Sequence, residues 1–276
     1  MEKRSKKRLI IGFVCFAIIF AIIFLFYSLF KSTPTCFDGI KNQNEEDIDC
    51  GGRCFKQCKK IEAKDLVVGE VGVVDSSTPG EYDFYGIIDN PNSLYGSDYF
   101  DYQIKFKDES GAILGEKTGT SFILPGEKKY IIENNVKLEK TPAKIELSVL
   151  NLRWAAFQDF YEKPDLKIIN KTYGPVTSGI GFYEAKGLLK NESAYDFATI
   201  KIKVILKDAM GKIVALNSTE MRTVRSGENR DFRAFWPGRF SGEVGGSETQ
   251  IEVNIFNSES FAKKNIKEQQ FQNYAR

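Results

Sequence analysis

The chain has 276 residues, 39 basic against 37 acidic side chains, and no histidine. Its length suits about two domains, and the near-zero net charge leaves no basic excess to neutralise nucleic-acid phosphates. Without histidine, imidazole acid–base catalysis, Ser-His-Asp and Cys-His nucleophiles and His-ligated zinc are excluded.

The charge is unevenly spread. Residues 1–8 hold Lys3, Arg4, Lys6, Lys7 and Arg8 against one acid, Glu2, and residues 9–30 carry no charge at all. As a helix this run would reach roughly 33 Å, against a hydrocarbon core of ~30 Å. No amphipathic face interrupts it, which distinguishes it from a buried core helix. Positive residues stay cytoplasmic, so the pattern predicts a cytoplasmic tail at 1–8, a transmembrane signal anchor at 9–30 and an extracytoplasmic remainder. The run exceeds the roughly 7–15 residues of a cleaved signal peptide's apolar region, and no small-x-small cleavage site follows it. Cys15 stands near its start rather than at a lipoprotein's cleavage position. The five bases and one acid of the first eight residues leave the rest at −2 against the chain's +2. The outer part is therefore mildly acidic and has no overall polybasic attraction to a membrane.

Four of the five cysteines, Cys36, Cys50, Cys54 and Cys58, fall in a module at 34–60. An even count outside the cytoplasm favours two disulfides, with three connectivities open. Their spacing is not the paired C-x2-C form of a zinc site. Asp38, Asn42, Asn44, Glu45, Glu46, Asp47 and Asp49 lie between the first two, with Gly39, Gly51 and Gly52 available for tight turns. Hard oxygens at this spacing suit calcium, with Asp38, Asn42, Asn44, Glu45, Asp47 and Asp49 as candidate ligands; the alternative is solvated loop acids. A module this short needs cross-links or an ion in place of a core. The run from Cys36 to Cys54 resembles a cysteine module of the form C-x-D-G-x-x-N-x-x-E-x-x-x-D-C-G-G-x-C. That module occurs in surface-exposed and membrane-anchored microbial proteins and in some animal extracellular proteins. The resemblance implies a location rather than an activity.

The remainder repeats at a spacing of about 100 residues. Gly86 and Asn90 answer Gly187 and Asn191, Asp108 and Gly111 answer Asp208 and Gly211, and Gly126 and Glu127 answer Gly227 and Glu228. Leu66 and Val68 answer Leu166 and Ile168, and Ile145 and Leu147 answer Ile251 and Val253. In each copy apolar residues alternate: Phe100, Tyr102, Ile104 and Phe106 in one, Ile200, Ile202, Val204 and Leu206 in the other. That period of two marks half-buried strands, with Asp101, Gln103 and Lys105 outward in the first copy. The Asp and Gly that follow supply hairpin turns. About seven short strands per copy predict two tandem immunoglobulin-like antiparallel β-sandwich domains, at 61–160 and 161–258, with a polar C-terminal tail at 259–276. The second copy resembles FxLyD-type envelope domains in Gly187 to Asn191, Ile200 to Gly211 and Gly227 to Phe232. The first copy departs from that pattern at Tyr130. The resemblance implies no catalytic residues.

Trp154 and Trp236 are expected in core or interdomain packing, and the stretch 157–163 is the expected junction. Asn170, Asn191 and Asn217 each begin a glycosylation acceptor sequence. Asp98, Asp101 and Asp108 could be imagined as hydrolase carboxylates, but no cleft is indicated, and Asp108 is a turn residue repeated at Asp208. The function expected is non-catalytic: a single-pass cell-membrane protein, held by residues 9–30, that binds or scaffolds a protein or envelope polymer outside. Loop residues Asn90, Asn92, Tyr95 and Asp98, or an edge strand, would carry the contact. The alternatives are an accessory subunit of a secretion or pilus-like machine and, behind it, a carboxylate-dependent hydrolase. No nucleic acid and no certain cofactor are expected, calcium apart.

Overall fold

The computed structural model describes residues 13–14, 16–22, 24, 35–46, 48–56, 63–157, 163–258 and 261. Residues 1–60 and 61–276 form separate compact units. In the first, residues 13–14, 16–22 and 24 are helical, with exposed side chains such as Phe13, Phe16 and Phe20. Among the described residues no helix is long and apolar enough to cross a membrane. The rest of the 9–30 run, including Cys15, lies outside them, as does the tail at 1–8.

The second unit is built of antiparallel strands. The first copy contributes β1 (Val67–Asp75), β2 (Glu81–Asp89), β3 (Tyr95–Lys107), β4 (Ile113–Ile123), β5 (Lys128–Lys137) and β6 (Lys144–Ala156). The second contributes β7 (Leu166–Pro175), β8 (Tyr183–Asn191), β9 (Phe197–Lys207), β10 (Ile213–Val224), β11 (Asn229–Trp236) and β12 (Gly246–Val253). Six strands per copy replace the seven expected, because the alternating stretches near residues 100 and 200 extend into long hairpin arms. The sheets run β1-β2-β5 and β4-β3-β6, then β11-β8-β7 and β10-β9-β12. Each copy is thus a sandwich of two three-stranded sheets, with equivalent strand orders.

The alternation selects the core. Phe84, Ile88, Phe100, Ile104, Phe106 and Ile131 fill the first sandwich. Leu189, Ile200, Ile202, Val204, Leu206 and Phe232 fill the second, together with Trp236, whose Nε1 donates to the Leu216 carbonyl at 3.2 Å. Trp154 is only half-buried. A third cluster joins Tyr130, Ile205, Ile213 and Leu216 to Val74, Tyr85, Ile87 and Ile132. These residues project from the outer faces of β1-β2-β5 and β10-β9-β12, so those two sheets pack against each other. The result is four stacked sheets with three apolar seams.

The end of β6 is locked as well. Phe157 is fully buried and meets the Phe256 ring edge-to-face at 5.7 Å. The expected second domain thus ends on buried Ile255 and Phe256, and within the expected polar tail Phe261 is buried and packs on Tyr195 at 4.8 Å. Residues 158–162 and 262–276 lie outside the described residues.

Candidate functional site

In the cysteine module Cys36 is bonded to Cys54 and Cys50 is also disulfide-bonded, so thiolate zinc ligation does not apply to these three. Cys58 and Asp47 lie outside the described residues. The carboxylates expected as calcium ligands are turned to the main chain instead. Asp49 accepts the N–H groups of Asp38 at 3.0 Å and Gly39 at 3.1 Å. Asp38 accepts Thr35 N–H at 2.8 Å, Ile40 N–H at 3.0 Å and the Asn42 amide at 2.9 Å. Buried Glu45 accepts the N–H groups of Asn42 and Asp49. The Thr35 and Asn42 hydrogen bonds hold the Asp38 carboxyl below its ordinary value. These acids act as internal caps for a chain too short to pair its own backbone. Asn42 Oδ1 is buried without a partner, and Asn44 is exposed with φ 67°. Glu45 also sits within reach of the Cys36 and Cys54 sulfurs, but bonded sulfurs carry no thiolate charge to offer a cation.

The expected contact loop is in part structural. Asn90 and Asn92 are buried rather than presented to solvent. Asn90 Nδ2 donates to the carbonyls of Tyr95 at 2.7 Å and Leu124 at 2.8 Å, and its Oδ1 accepts Asn92 N–H. Asn92 pairs with both main-chain groups of Lys64. The second copy repeats the device. Asn191 Nδ2 donates to the carbonyls of Tyr195 and Arg225, and its Oδ1 accepts Ser193 N–H. Both protons of the Asn191 amide are therefore committed within the fold. Asn217 is half-buried and donates to the Phe235 carbonyl at 2.7 Å, whereas Asn170 is exposed at a bulge of β7.

Tyr95 and Asp98 remain half-buried. Burial pushes the Asp98 carboxyl up, opposed by Arg153 at 3.3 Å. Asp101 accepts the Tyr99 hydroxyl and the Asn151 amide, and Asp108 caps its own turn through the N–H groups of Ser110 and Ala112. Asp208 makes the same bonds to Met210 and Lys212. Asp98, Asp101 and Asp108 are thus held in separate structural roles.

The densest unusual chemistry lies between the sandwiches. Lys129 of β5 and Lys203 of β9 are 0% and 4% exposed. Both pair with one carboxylate, Glu252 of β12, Lys129 at 2.9 Å. Lys129 Nζ also donates to the Phe122 carbonyl at 2.7 Å and stands 3.8 Å above the Phe122 ring. Lys203 Nζ also donates to the Tyr130 carbonyl. Burial, and then the charge of Lys129, lower the Lys203 pKa to about 8. Burial favours the neutral form of Glu252, but the two lysines outweigh it and hold its pKa at about 2.

Glu252 also borders a half-enclosed cavity of about 230 Å³, lined further by Phe122, Phe197, Thr199, Lys201 and Asn254. The sequence pattern does not single out Lys129, Lys203 or Glu252. A signal was present in the unbroken Val204-Ile205-Leu206 run, since a strand apolar on both faces is covered on both.

No protein family and no curated protein sequence matches the chain. Among solved structures, red sea bream transglutaminase is similar at 7% identity over 70% of this chain and 29% of its own, with a TM-score of 0.20. The chain thus spans under a third of that protein's length. The calcium-binding domain CBD12 of CALX1.1 is similar at 9% identity over 66% of this chain and 79% of its own, with a TM-score of 0.19. Likeness at this level bears on neither ligand nor activity.

Proposed function

We propose that the chain is a single-pass, membrane-anchored extracytoplasmic protein whose two sandwiches form one rigid binding or scaffolding block of the cell envelope. The supporting observation is the interdomain seam. Ile205 and Leu216 are buried between the copies, and the Lys129–Glu252–Lys203 triad crosses it, so the two sandwiches keep a fixed relation. A fixed block suits a protein that holds a partner at a set place better than one that must close on a substrate. The apolar run at 9–30 and the disulfide module fit the same placement, as does the resemblance of the second copy to FxLyD-type envelope domains.

With the inner sheets packed on each other, β4-β3-β6 and β11-β8-β7 supply the outward faces. Exposed Leu150 of β6, and Ile169 and Tyr173 of β7, are among the apolar points on them, with Ile113 at the start of β4. Photo-cross-linkers at Leu150, Ile169 and Tyr173, used on intact cells, should capture a discrete partner. Capture from none of them would remove the basis for the binding reading. Exchange of residues 9–30 for an unrelated anchor should leave capture intact; loss of capture would favour the accessory subunit of an envelope machine, whose helix makes contacts of its own.

A further inference from the structure

The first unit sorts its side chains by chemistry. Asp38, Glu45 and Asp49 are spent on internal hydrogen bonds, which leaves Glu46 as the exposed acid among the described residues of the module. The bases Lys41, Arg53 and Lys56 face solvent. So do Phe37, Ile40 and Phe55, at 88%, 59% and 105% exposure. Phe37 and Phe55 each follow a half-cystine of the Cys36–Cys54 bond, whose Cα atoms are 5.6 Å apart. With ~3.8 Å between successive Cα atoms, the two phenylalanine Cα atoms are at most about 13 Å from each other. Ile40 is three residues from Phe37. The module therefore displays two aromatic rings and an aliphatic chain beside exposed bases, with no core of its own to take them in. Large apolar side chains left in water in this way mark a contact surface.

We infer that this surface is seated in the lipid–water interface, with Phe37, Ile40 and Phe55 dipping toward the acyl chains and Lys41, Arg53 and Lys56 meeting anionic headgroups. The proposal rests on the reading of residues 9–30 as an anchor. The chain itself supplies the proximity: Cys36 is six residues beyond Phe30, so full extension carries it no more than about 22 Å from the end of the apolar run. Apolar side chains flanked by lysine and arginine are the composition that interfacial segments use. The module is not basic as a whole, since Asp38, Glu45, Glu46 and Asp49 keep their charges; the exposed apolar side chains carry the seating, and Lys41, Arg53 and Lys56 at their flanks supply the headgroup contacts. The module would then be a collar that fixes the base of the extracytoplasmic block at the membrane, rather than a loose stalk.

The test is lipid photo-cross-linking of the full chain in vesicles of mixed phosphatidylcholine and phosphatidylglycerol. p-Benzoylphenylalanine replaces one residue at a time: Phe55, Phe37, Phe16 inside the apolar run, or Met210, which is 93% exposed on a turn of the second unit. Phe55 and Phe37 should give at least about tenfold more lipid adduct than Met210, as expected of side chains held among lipids rather than in water. Adduct at Phe16 without adduct at Phe55 and Phe37 would overturn the collar while leaving the anchor in place. Absence of adduct at Phe16 as well would overturn the anchor and the collar together. Adducts from Phe55 and Phe37 to protein in place of lipid would also overturn the proposal. Non-reducing peptide mapping of the Cys36–Cys54 bond certifies that each variant has folded. As a second measurement, Phe37→Ser with Phe55→Ser should increase protease cleavage of the module in vesicles several-fold; unchanged cleavage would count against membrane seating.

Discussion

Gln250 and Tyr130, 120 residues apart in the chain, meet as neighbouring strands would: Tyr130 N–H donates to Gln250 Oε1 at 2.9 Å. The same carboxamide donates to the Lys128 carbonyl at 2.8 Å. Strand β5 is the edge of its sheet, and an unpaired edge is a template for association with other chains. One side chain from the second sandwich closes two of its main-chain positions, and Lys203 closes a third at the Tyr130 carbonyl. Gln250→Ala should therefore lower stability by about 1–2 kcal/mol, from two hydrogen bonds at roughly 1 kcal/mol net or less each. Gln250→Glu keeps the acceptor and loses the donor, so it should fall between. Urea unfolding followed by tryptophan fluorescence (Trp154 and Trp236) checks the order, and equal midpoints for all three proteins would contradict it.

The triad makes an asymmetric prediction. Glu252→Gln leaves two lysines in the seam without an anion, a situation that costs about 3–5 kcal/mol. Lys203→Met, in contrast, turns a two-to-one cluster into a one-to-one pair of Lys129 and Glu252. Its cost should stay near 1 kcal/mol, from the one carbonyl left without its donor. Adding Lys203→Met to Glu252→Gln should recover part of the loss. Equal costs for the two single variants would mean that the charges are better hydrated than the burial implies.

Acid and base should act on this seam in opposite senses. The folded Glu252 pKa of about 2 lies below its ordinary 4.5. Its contribution is complete above pH 4.5 and lost as pH falls toward 2. The folded Lys203 pKa of about 8 lies below 10.5, so between those values the unfolded chain holds a proton that the folded chain has released. Stability gains from Lys203 as pH rises through that window. Tyr85 reverses the trend above pH 10, because burial and the Glu70 carboxylate raise its pKa to about 12 and the unfolded phenol ionises first. Chemical denaturation across pH 7 to 11 should show a rise that bends over near pH 10, and Lys203→Met should abolish the rise.

Local chemistry was the legible part of this molecule. Asp108 and Asp208 announce identical turns because a carboxylate two residues before a turn N–H and a glycine at φ 85° or 84° are decided within five residues. Core faces such as Ile200, Ile202, Val204 and Leu206 follow from alternation alone. What alternation leaves open is which outer face meets water. Lys203 stands on the face opposite Ile202 and Val204, yet it lies under the first sandwich because Ile205, two positions further on the same face, needs cover. Asn90 and Asn92 looked like a polar contact loop for a related reason: an asparagine that serves as a main-chain staple and one that waits for a ligand have the same composition. The ordered acids of the cysteine module carry that ambiguity too.

The staples bear on modification. In Asn191 both amide protons are used and the side chain is 1% exposed, so an oligosaccharide cannot be carried there without unfolding the β8 end. Expressed through a glycosylating secretory route, the chain should carry glycan at Asn170 and not at Asn191, with Asn217 blocked by its bond to Phe235. Intact-peptide mass mapping reads this directly; occupancy at Asn191 would mean that modification precedes folding. Asn191→Ala should cost about 1–2 kcal/mol by taking the donor from two part-buried carbonyls at roughly 0.5–1 each, and Asn90→Ala should cost somewhat more because its Leu124 carbonyl is buried.

The module offers a choice between an ion and cross-links as its main support, and its hydrogen bonds favour cross-links. Both oxygens of Asp38 and of Asp49 already accept N–H donors, so a calcium ion would have to break bonds that hold the backbone in order to gain these ligands. Calcium addition or chelation should therefore leave the protease resistance of residues 35–56 unchanged. Severing the Cys36–Cys54 bond should abolish that resistance. Its ends are 18 residues apart, and the chain-entropy estimate for a loop of that size is about 3 kcal/mol, most of what so small a unit can muster. Cys36→Ser with Cys54→Ser, compared with the parent under non-reducing conditions, isolates this bond from that of Cys50. Survival of resistance in the double variant, together with its loss on chelation, would reverse the assignment and make the unpartnered Asn42 Oδ1 the first ligand to examine.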